Sequence, residues 1–239
     1  MFDSNVCLIY TIKQTFELIM NINQNSLFAE PTLPRNKILL TALQLFAELG
    51  FERATVRQIA MQAQVNVSAI AYYFGDKVGL YKAAYTEPMG SPKDDIALFD
   101  SPKLTLQQAL NGLFSGFIEP LKQNKYVAQC IRLHMREMVE PTGLWQQDID
   151  DGIAPYQHAL NLVLQKHLSL KAVDDDCHRL STSIVAMGVH LYVGREVIEK
   201  ICPQIIETDT ALMQTQHRLV MFALSMIKAE KERRKQLNK

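Results

Sequence analysis

Hydrogen-bond donors between residues 55 and 77 have the types and positions that suit contacts with phosphate. Arg57, Tyr72 and Tyr73 are predicted to lie on the sides of their helices away from the apolar residues. Thr55 and Lys77 stand where two helices are expected to begin, and a helix N-terminus presents unpaired N–H groups and partial positive charge to an anion. These residues therefore predict contacts with a nucleic-acid backbone. Half-buried packing in a helical bundle is the alternative for the two tyrosines.

Small side chains on a short predicted helix form a second group in the same stretch. Val67, Ser68 and Ala71 are expected to be exposed there, where they would offer methyl contacts with thymine or a hydroxyl hydrogen bond. Tyr73 and Arg57 are long enough to reach base edges as well. The group predicts sequence reading in the major groove.

Periodicity and capping residues predict the helices that must position these side chains. Apolar residues recur at three- and four-residue steps from residue 35, and Gly50 supplies a helix end. Thr55 with Gln58 forms a capping-box pattern, and Asn66 is a good N-cap after a tight turn. The sequence therefore predicts helices at about 35–49, 56–63 and 67–73 and a fourth helix capped by Asp76.

The stretch from Thr55 to Ala83 closely resembles the helix-turn-helix of the TetR family of transcriptional regulators. The preceding stretch, Leu39–Val56, resembles that family's first helix and its Gly-Phe exit. Ala71 departs from the pattern, because many members carry a Tyr there, and this puts one expected phosphate or base contact in doubt. The matching positions are a Thr at the start of helix two, a Val and a capping residue in the turn, an aromatic cluster ending in Phe and a Lys that opens helix four, here Thr55, Val65, Asn66, Tyr72-Tyr73-Phe74 and Lys77.

This resemblance implies a sequence-specific DNA-binding regulator. The expected mode of action is a repressor, less often an activator, that a small-molecule effector releases from palindromic operator DNA. The sequence indicates neither the operator, the effector, the regulated genes nor the sign of regulation.

The remainder of the chain is predicted to be helical, so the fold class is all-α. A three-helix helix-turn-helix DNA-binding domain is expected at 35–86, and a larger helical effector-binding and dimerisation domain at 87–239. Residues 1–34 are interpreted as an extension of open role, with Met20 as an alternative first residue. The segment Met89–Pro102 is expected to be an exposed connection. The later helices are predicted at about 104–122, 125–139, 144–169, 174–200 and 208–236.

The segment Ile131–Leu168 resembles the C-terminal domain of the CecR-like subgroup of TetR regulators, through Arg136-Glu137 followed by Glu140-Pro141. That resemblance implies a bound effector without identifying it. Polar atoms on otherwise apolar helices are the candidates for its pocket, and a satisfied core or surface residue is the alternative for each. Arg136 with Glu137 is also compatible with an internal salt bridge. The candidates are His134, Arg136, Glu137, Trp145, His190 and Tyr192.

A homodimer is predicted through the helices at 174–200 and 208–236. Small residues on the first helix would allow close approach of a partner helix, which fits a two-fold four-helix interface, the general mode of dimerisation in the resembled family. The small residues are Ser181, Ser183, Ala186 and Gly188, and the apolar ones are Ile184, Met187, Val189, Leu191, Val193, Leu212, Leu219, Val220, Phe222, Ala223 and Met226.

Charge and composition bound the remaining possibilities. The chain of 239 residues has 25 basic and 25 acidic residues, so a DNA-binding surface must be local. Residues 35–85 supply it, with six basic against three acidic side chains. A sequence-independent architectural DNA binder is therefore disfavoured.

Other function classes find no pattern in this sequence. The four cysteines are far apart and are expected to be small buried hydrophobes in a reducing cytoplasm, without a metal site. No cofactor is expected, and an enzyme or carrier lacks a catalytic motif or a glycine-rich phosphate loop. Since Lys13 and Glu17 interrupt the most apolar N-terminal stretch, neither a membrane span nor a signal peptide is predicted, and the protein is expected to be cytoplasmic.

Overall fold

The computed structural model describes residues 30–88, 92–122 and 125–237, apart from the side chains of Pro92, Lys125, Val127, Trp145 and Asp148. Those ranges hold helices and no strand, which confirms the all-α class. None of the helices in this part of the chain is long and apolar enough to cross a membrane. The α-helices are α1 (Pro34–Arg53), α2 (Val56–Ala63), α3 (Val67–Phe74), α4 (Lys77–Thr86), α5 (Leu106–Ile118), α6 (Lys125–Val139), α7 (Leu144–Asp148), α8 (Ala154–Leu168), α9 (Asp175–Val193), α10 (Arg195–Ile201) and α11 (Asp209–Leu237).

The chain divides into two compact units. The N-terminal unit contains α1–α4 and also α6, and the C-terminal unit contains α5 and α8–α11. The sequence had placed α6 beyond the boundary at 86, but α6 buries Cys130 and Leu133 in the core that α1 shares with the other N-terminal helices. The domain division at 34 and 86 stays a prediction, and the predicted extension before residue 30 lies outside the described residues.

Gly50 divides α1 as the sequence predicts. Its φ of 81° lies in the region that favours glycine, so the helix is interrupted there, although a further turn continues to Arg53. The space is tight as well, because a Cβ on Gly50 would come 3.1 Å from Nη1 of Arg136 on α6.

Three of the long predicted helices are shorter than expected, each for a local reason. The helix predicted from 104 begins at Leu106, because a Thr105–Gln108 capping box fixes its start. The segment predicted at 144–169 is interrupted by a π-helical turn over Ile149–Ile153, next to a proline in the first turn of α8. The helix predicted at 174–200 breaks at Gly194, which separates α9 from α10.

The described part of the connection between α4 and α5 is exposed at Lys93, Asp94 and Asp100, as the sequence predicts, but it is more ordered than a loop. Residues Pro92–Leu98 form a 3-10 helix, and Phe99 directly after it is 1% exposed. This segment lies on α5 because Gly112 and Gly116 carry no side chain. A Cβ on Gly112 would overlap with the carbonyl oxygen of Leu98, and one on Gly116 would come 2.9 Å from Oδ2 of Asp95.

Most of the apolar residues that the sequence assigns to the dimer interface are buried by the chain itself. They complete the core of the C-terminal unit together with Leu110, Phe114 and Leu164. The small residues Ser181 and Gly188 are also buried, the latter against the ring of Phe117. Residues predicted for the interface but buried in this core are Ile184, Leu191, Leu212, Leu219, Val220 and Ala223.

Candidate nucleic-acid interface

Three consecutive side-chain caps set up the helix-turn-helix. Thr55 accepts a hydrogen bond from the Gln58 backbone N–H (3.2 Å) and donates its own N–H to Gln58 Oε1 (2.9 Å), which is the predicted capping box. Gln64, with φ 54°, makes the turn, and Asn66 Oδ1 then accepts from the N–H of Ser68 at 2.9 Å. Asp76 begins α4 by accepting from Gly79 N–H at 2.7 Å. The sequence therefore predicted the start of each helix correctly.

The apolar residues of α2 and α3 point inward and so define the outer faces of these helices. Ile59 and Ala63 on α2 and Ile70 on α3 are almost fully buried in the core beside α1. Polar and small residues at the remaining positions are left on the surface. The amphipathic pattern thus fixes which side of α3 is available to a partner.

The small residues predicted to read bases share the outer face of α3 with Tyr72, a predicted phosphate donor. Val67, Ser68, Ala71 and Tyr72 follow a spacing of one, three and one residues, and all four are exposed. Tyr72 is 80% exposed and its ring meets that of Tyr73 edge to face, with centroids 4.9 Å apart. Packing inside the bundle therefore does not account for Tyr72, whereas Tyr73 is more enclosed, with 37% of its surface exposed.

The predicted phosphate donors differ in how much the chain itself engages them. Arg57 is exposed on α2. Lys77 is half-buried: its Nζ donates to the carbonyl oxygen of Glu52 at 3.2 Å and lies 4.4 Å from the ring centroid of Phe51. Its ammonium ties the start of α4 to the end of α1, which is a structural task in addition to any phosphate contact.

Part of the local positive charge is neutralised within the unit. Arg35 forms a two-pronged ion pair with Glu87, at 2.7 and 3.0 Å, and stacks over the ring of Phe74. Glu87 lies just beyond residues 35–85, the stretch with six basic and three acidic side chains. The basic surplus of that stretch is thus smaller by one when the pair is included.

Two exposed apolar side chains in this region were not identified from the sequence. Met61 on α2 is 76% exposed and lies one helical turn after Arg57, and Val78 near the start of α4 is 62% exposed. The spacing from Arg57 to Met61 was the available signal, since residues four apart share a helix face.

The candidate effector residues are distributed over both units. In the N-terminal unit Glu137 is fully buried and accepts hydrogen bonds from the Tyr81 hydroxyl (2.7 Å) and from the N–H (2.6 Å) and hydroxyl (2.8 Å) of Thr142. Burial and this bond to Glu137 raise the pKa of Tyr81 well above its ordinary value. Glu137 is thus fully engaged in holding α4 to α6.

The other candidates on α6 also have structural partners. Arg136 pairs with Glu140 at 2.8 Å rather than with Glu137, and donates to the carbonyl oxygen of Glu48 at 3.2 Å. His134 stacks on Tyr85 with ring centroids 4.0 Å apart. These contacts hold α6 against α1 and α4.

The remaining candidates belong to the second unit or are not described. Tyr192 donates its hydroxyl to the carbonyl oxygen of Phe117 at 2.7 Å, while His190 is exposed. The side chain of Trp145 lies outside the described residues. Within the described part of the chain, no group of three or more His, Cys, Asp or Glu side chains could hold a metal ion.

Comparison with known proteins agrees with this geometry. Residues 38–84 match the family described as bacterial regulatory proteins, tetR family, and residues 106–227 match the C-terminal domain of the HTH-type transcriptional dual regulator CecR. The chain is 47% identical over 175 residues to the HTH-type transcriptional dual regulator CecR of Shigella flexneri, covering 69% of this chain and 78% of that protein.

More distant relatives match at lower sequence identity. The HTH-type transcriptional regulator BetI of Stenotrophomonas maltophilia is 32% identical over 85 residues, 34% of this chain, and the chain spans only 43% of its length. The crystal structure of FadR from Bacillus subtilis in complex with stearoyl-CoA has the same fold, with a TM-score of 0.58 at 19% identity over 80% of this chain and 97% of that one.

The fold and these family matches thus define a helix-turn-helix transcriptional regulator. The chain belongs to the TetR family, and within it to the group that carries the CecR C-terminal domain.

Proposed function

We propose that α3 is the recognition helix of a sequence-specific repressor. The observation that carries this proposal is the outer face of α3, where Val67, Ser68, Ala71 and Tyr72 are all exposed. Small side chains let the helix approach base edges, and Tyr72 and Arg57 reach the flanking phosphates. Thr55, Asn66, Tyr73 and Lys77 complete the proposed contact surface, with the first two acting through the helix starts that they cap.

We further propose that the regulator acts in the cytoplasm as a homodimer on a palindromic operator. Exposed residues remain on the predicted helices after the chain has formed its own core: Ser183, Ala186 and Val193 on α9, and Met221 and Phe222 on α11. An apolar surface rimmed by small residues suits a second copy, which would set the two recognition helices about one DNA turn, roughly 34 Å, apart.

The C-terminal unit is proposed to bind the small-molecule effector. Support comes from the CecR-type C-terminal domain and from the related fold of FadR, whose structure contains stearoyl-CoA. An effector releases the repressor only if it binds the DNA-free conformation more tightly than the DNA-bound one. Two of the candidate residues, Tyr192 and His190, lie in this unit. The candidates on α6 lie in the N-terminal unit and contact other helices there.

Arg57→Ala tests the phosphate contact. Fluorescence anisotropy with the full-length protein and the DNA upstream of its own gene should show about tenfold weaker binding, and a salt dependence whose slope is smaller by about 0.9, because one phosphate contact is lost. Lys171→Ala is the matched control, since it removes one exposed positive charge from the other unit. Equal losses in both variants would contradict the proposed surface.

A further inference from the structure

An open groove runs along one side of α11 in the C-terminal unit. Its volume is about 760 Å³, which falls within the range of sites that bind small organic molecules. The first turn of α5 borders the groove through Gln107. A hydrogen bond of 3.1 Å from Gln216 Nε2 to the carbonyl oxygen of Asn111 holds α11 to α5. The residues of α11 that line the groove are Gln214, His217, Arg218, Val220, Met221, Leu224, Ser225 and Lys228.

Apolar side chains form the middle of this groove. Positions three and four apart share one face of a helix, so Leu224 lies beside both Val220 and Met221. Val220 belongs to the core of the unit, and Leu224 packs against that core. Met221, in contrast, keeps 43% of its surface exposed. A ligand in the groove would therefore cover apolar surface that the chain itself leaves accessible to water.

The ionisable side chains that line the groove are basic, and none is acidic. His217 and Arg218 are exposed towards one end, and Lys228 is exposed at the other, about 15 Å further along the helix. On α11 no Asp or Glu stands between Asp209 and Glu230, and α5 contains neither residue type. The groove therefore combines positive charge with an apolar middle and has no carboxylate of its own.

The guanidinium of Arg218 has an apolar neighbour where other arginines of this helix have anions. Its Nη1 lies 3.8 Å from the sulfur of Met221, and no carboxylate among the described residues pairs with it. Arg234, further along α11, pairs with both Asp174 and Glu230 at 2.6 Å. A guanidinium donates strong, charge-assisted hydrogen bonds to carboxylates and similar anions. Arg218 is thus available to the anionic group of a molecule in the groove.

We propose that this groove binds an amphipathic organic anion, a molecule with one carboxylate-like or sulfonate-like group on an apolar body. The anionic group pairs with Arg218, and the apolar body lies on Met221 and Leu224. Two copies paired through this face would bring two positive, acid-free stretches of α11 together, so charge favours an anionic ligand over a second copy. This inference rests on the proposed effector role of the C-terminal unit and specifies the chemical class of the effector.

Fluorescence titration of the full-length protein tests the charge requirement with two probes of similar shape. Anilinonaphthalene sulfonate is an amphipathic anion, and phenylnaphthylamine has the same rings without the sulfonate. We expect the wild type to bind both probes. Arg218→Gln should bind the sulfonate at least about fivefold more weakly and the uncharged probe within about twofold of the wild type, because a charge-assisted hydrogen bond is lost. Lys171→Gln is the matched control, since it removes an exposed charge of the same unit that does not line the groove.

Two methionine variants test the position of the bound probes. Met221→Gln removes apolar surface from the groove and should weaken binding of both probes by about threefold. Met213→Gln is the control, because Met213 is 54% exposed on the same helix and does not line the groove. Equal sulfonate binding by the wild type, Arg218→Gln and Met221→Gln would overturn the proposal, and so would a wild type that binds no sulfonate.

Size-exclusion chromatography of the same proteins distinguishes a ligand groove from an interface between copies. The distinction is needed because Met221 also belongs to the surface proposed for the homodimer. We expect Arg218→Gln to keep the oligomeric state of the wild type while it loses affinity for the sulfonate. A change of oligomeric state in Arg218→Gln would assign the groove to a second copy and contradict the proposal.

Operator binding by the wild type keeps the two proposals distinguishable. If the protein binds operator DNA but not the sulfonate, the ligand groove is wrong and the regulator assignment stands. If it binds the sulfonate but not the DNA, the regulator proposal fails instead. The two together predict that the sulfonate weakens operator binding, and that Arg218→Gln needs at least about fivefold more of it for the same effect. Sulfonate binding that leaves operator affinity unchanged would contradict the effector role of the groove.

Discussion

The two units contain the same capping box and use it differently. In Thr55–Gln58 and in Thr105–Gln108 the Thr N–H donates to the Gln Oε1 at 2.9 Å. The Gln N–H donates to the Thr Oγ1 at 3.2 Å in the first box and 3.3 Å in the second. The first begins α2, whose outer side is exposed, while the second begins α5, which buries Leu110, Leu113 and Phe114 in the C-terminal core. The local sequence thus fixes where a helix starts, and its surroundings decide how much of that helix is buried.

The two units also differ in how they bury and pair a carboxylate: Glu137 is fully buried, whereas Asp95 keeps an intermediate exposed fraction. Glu137 in the N-terminal unit receives three hydrogen bonds, whereas Asp95 in the C-terminal unit receives none from the described residues. A fully satisfied carboxylate stabilises the fold, because its partners would be left without an acceptor if it were removed.

The largest expected effect comes from removing the satisfied carboxylate. Glu137→Ala should lower the free energy of unfolding by about 3 kcal/mol, since the buried hydroxyl of Tyr81 and the donors of Thr142 lose their acceptor. Glu140→Ala, just after the end of α6, is the matched control, and its loss should stay below about 1 kcal/mol because the Glu140 side chain is 63% exposed. Urea denaturation measures both. Similar losses of unfolding free energy in the two variants would contradict the claim that the hydrogen bonds of Glu137 stabilise the fold.

Replacing the N-cap residues Thr55 and Thr105 tests the comparison of the two capping boxes. Thr55→Ala and Thr105→Ala should each lower the free energy of unfolding by about 1 kcal/mol, since each removes one N-cap acceptor. Only Thr55→Ala should also weaken operator binding, because α2 orients the start of α3. Denaturation and anisotropy on the same preparations give the two readings. A comparable loss of DNA affinity in Thr105→Ala would contradict the assignment of DNA contact to the N-terminal helices.

The features that the sequence predicted correctly are those that depend on residues close together in the chain. The caps at Thr55, Asn66 and Asp76 are formed within three residues, and the amphipathic pattern of α2 and α3 is local as well, so the starts and outer faces of these helices were predictable. Resemblance to a known family supplied the expectation of a regulator, since no single motif of hydrogen-bond donors is specific for DNA.

What the sequence missed depends on residues far apart in the chain. Glu137 meets Tyr81 across 56 positions, and Arg136 meets Glu48 across 88. Nothing near these residues indicates that they link helices rather than line a pocket. In the same way, Asp95 packs on α5 because Gly116 has no side chain, and the sequence does not show that these two residues meet.

The central claim is that the outer face of α3 reads DNA, and a measurement of base preference tests it most directly. Binding of full-length wild type, Ser68→Ala and Tyr72→Phe to a library of operator variants should show a changed base preference only for Ser68→Ala. Tyr72→Phe should weaken binding about fivefold for every sequence, as expected for one lost hydrogen bond to phosphate. An unchanged preference in Ser68→Ala together with unchanged affinity in Tyr72→Phe would contradict the claim that this face reads DNA.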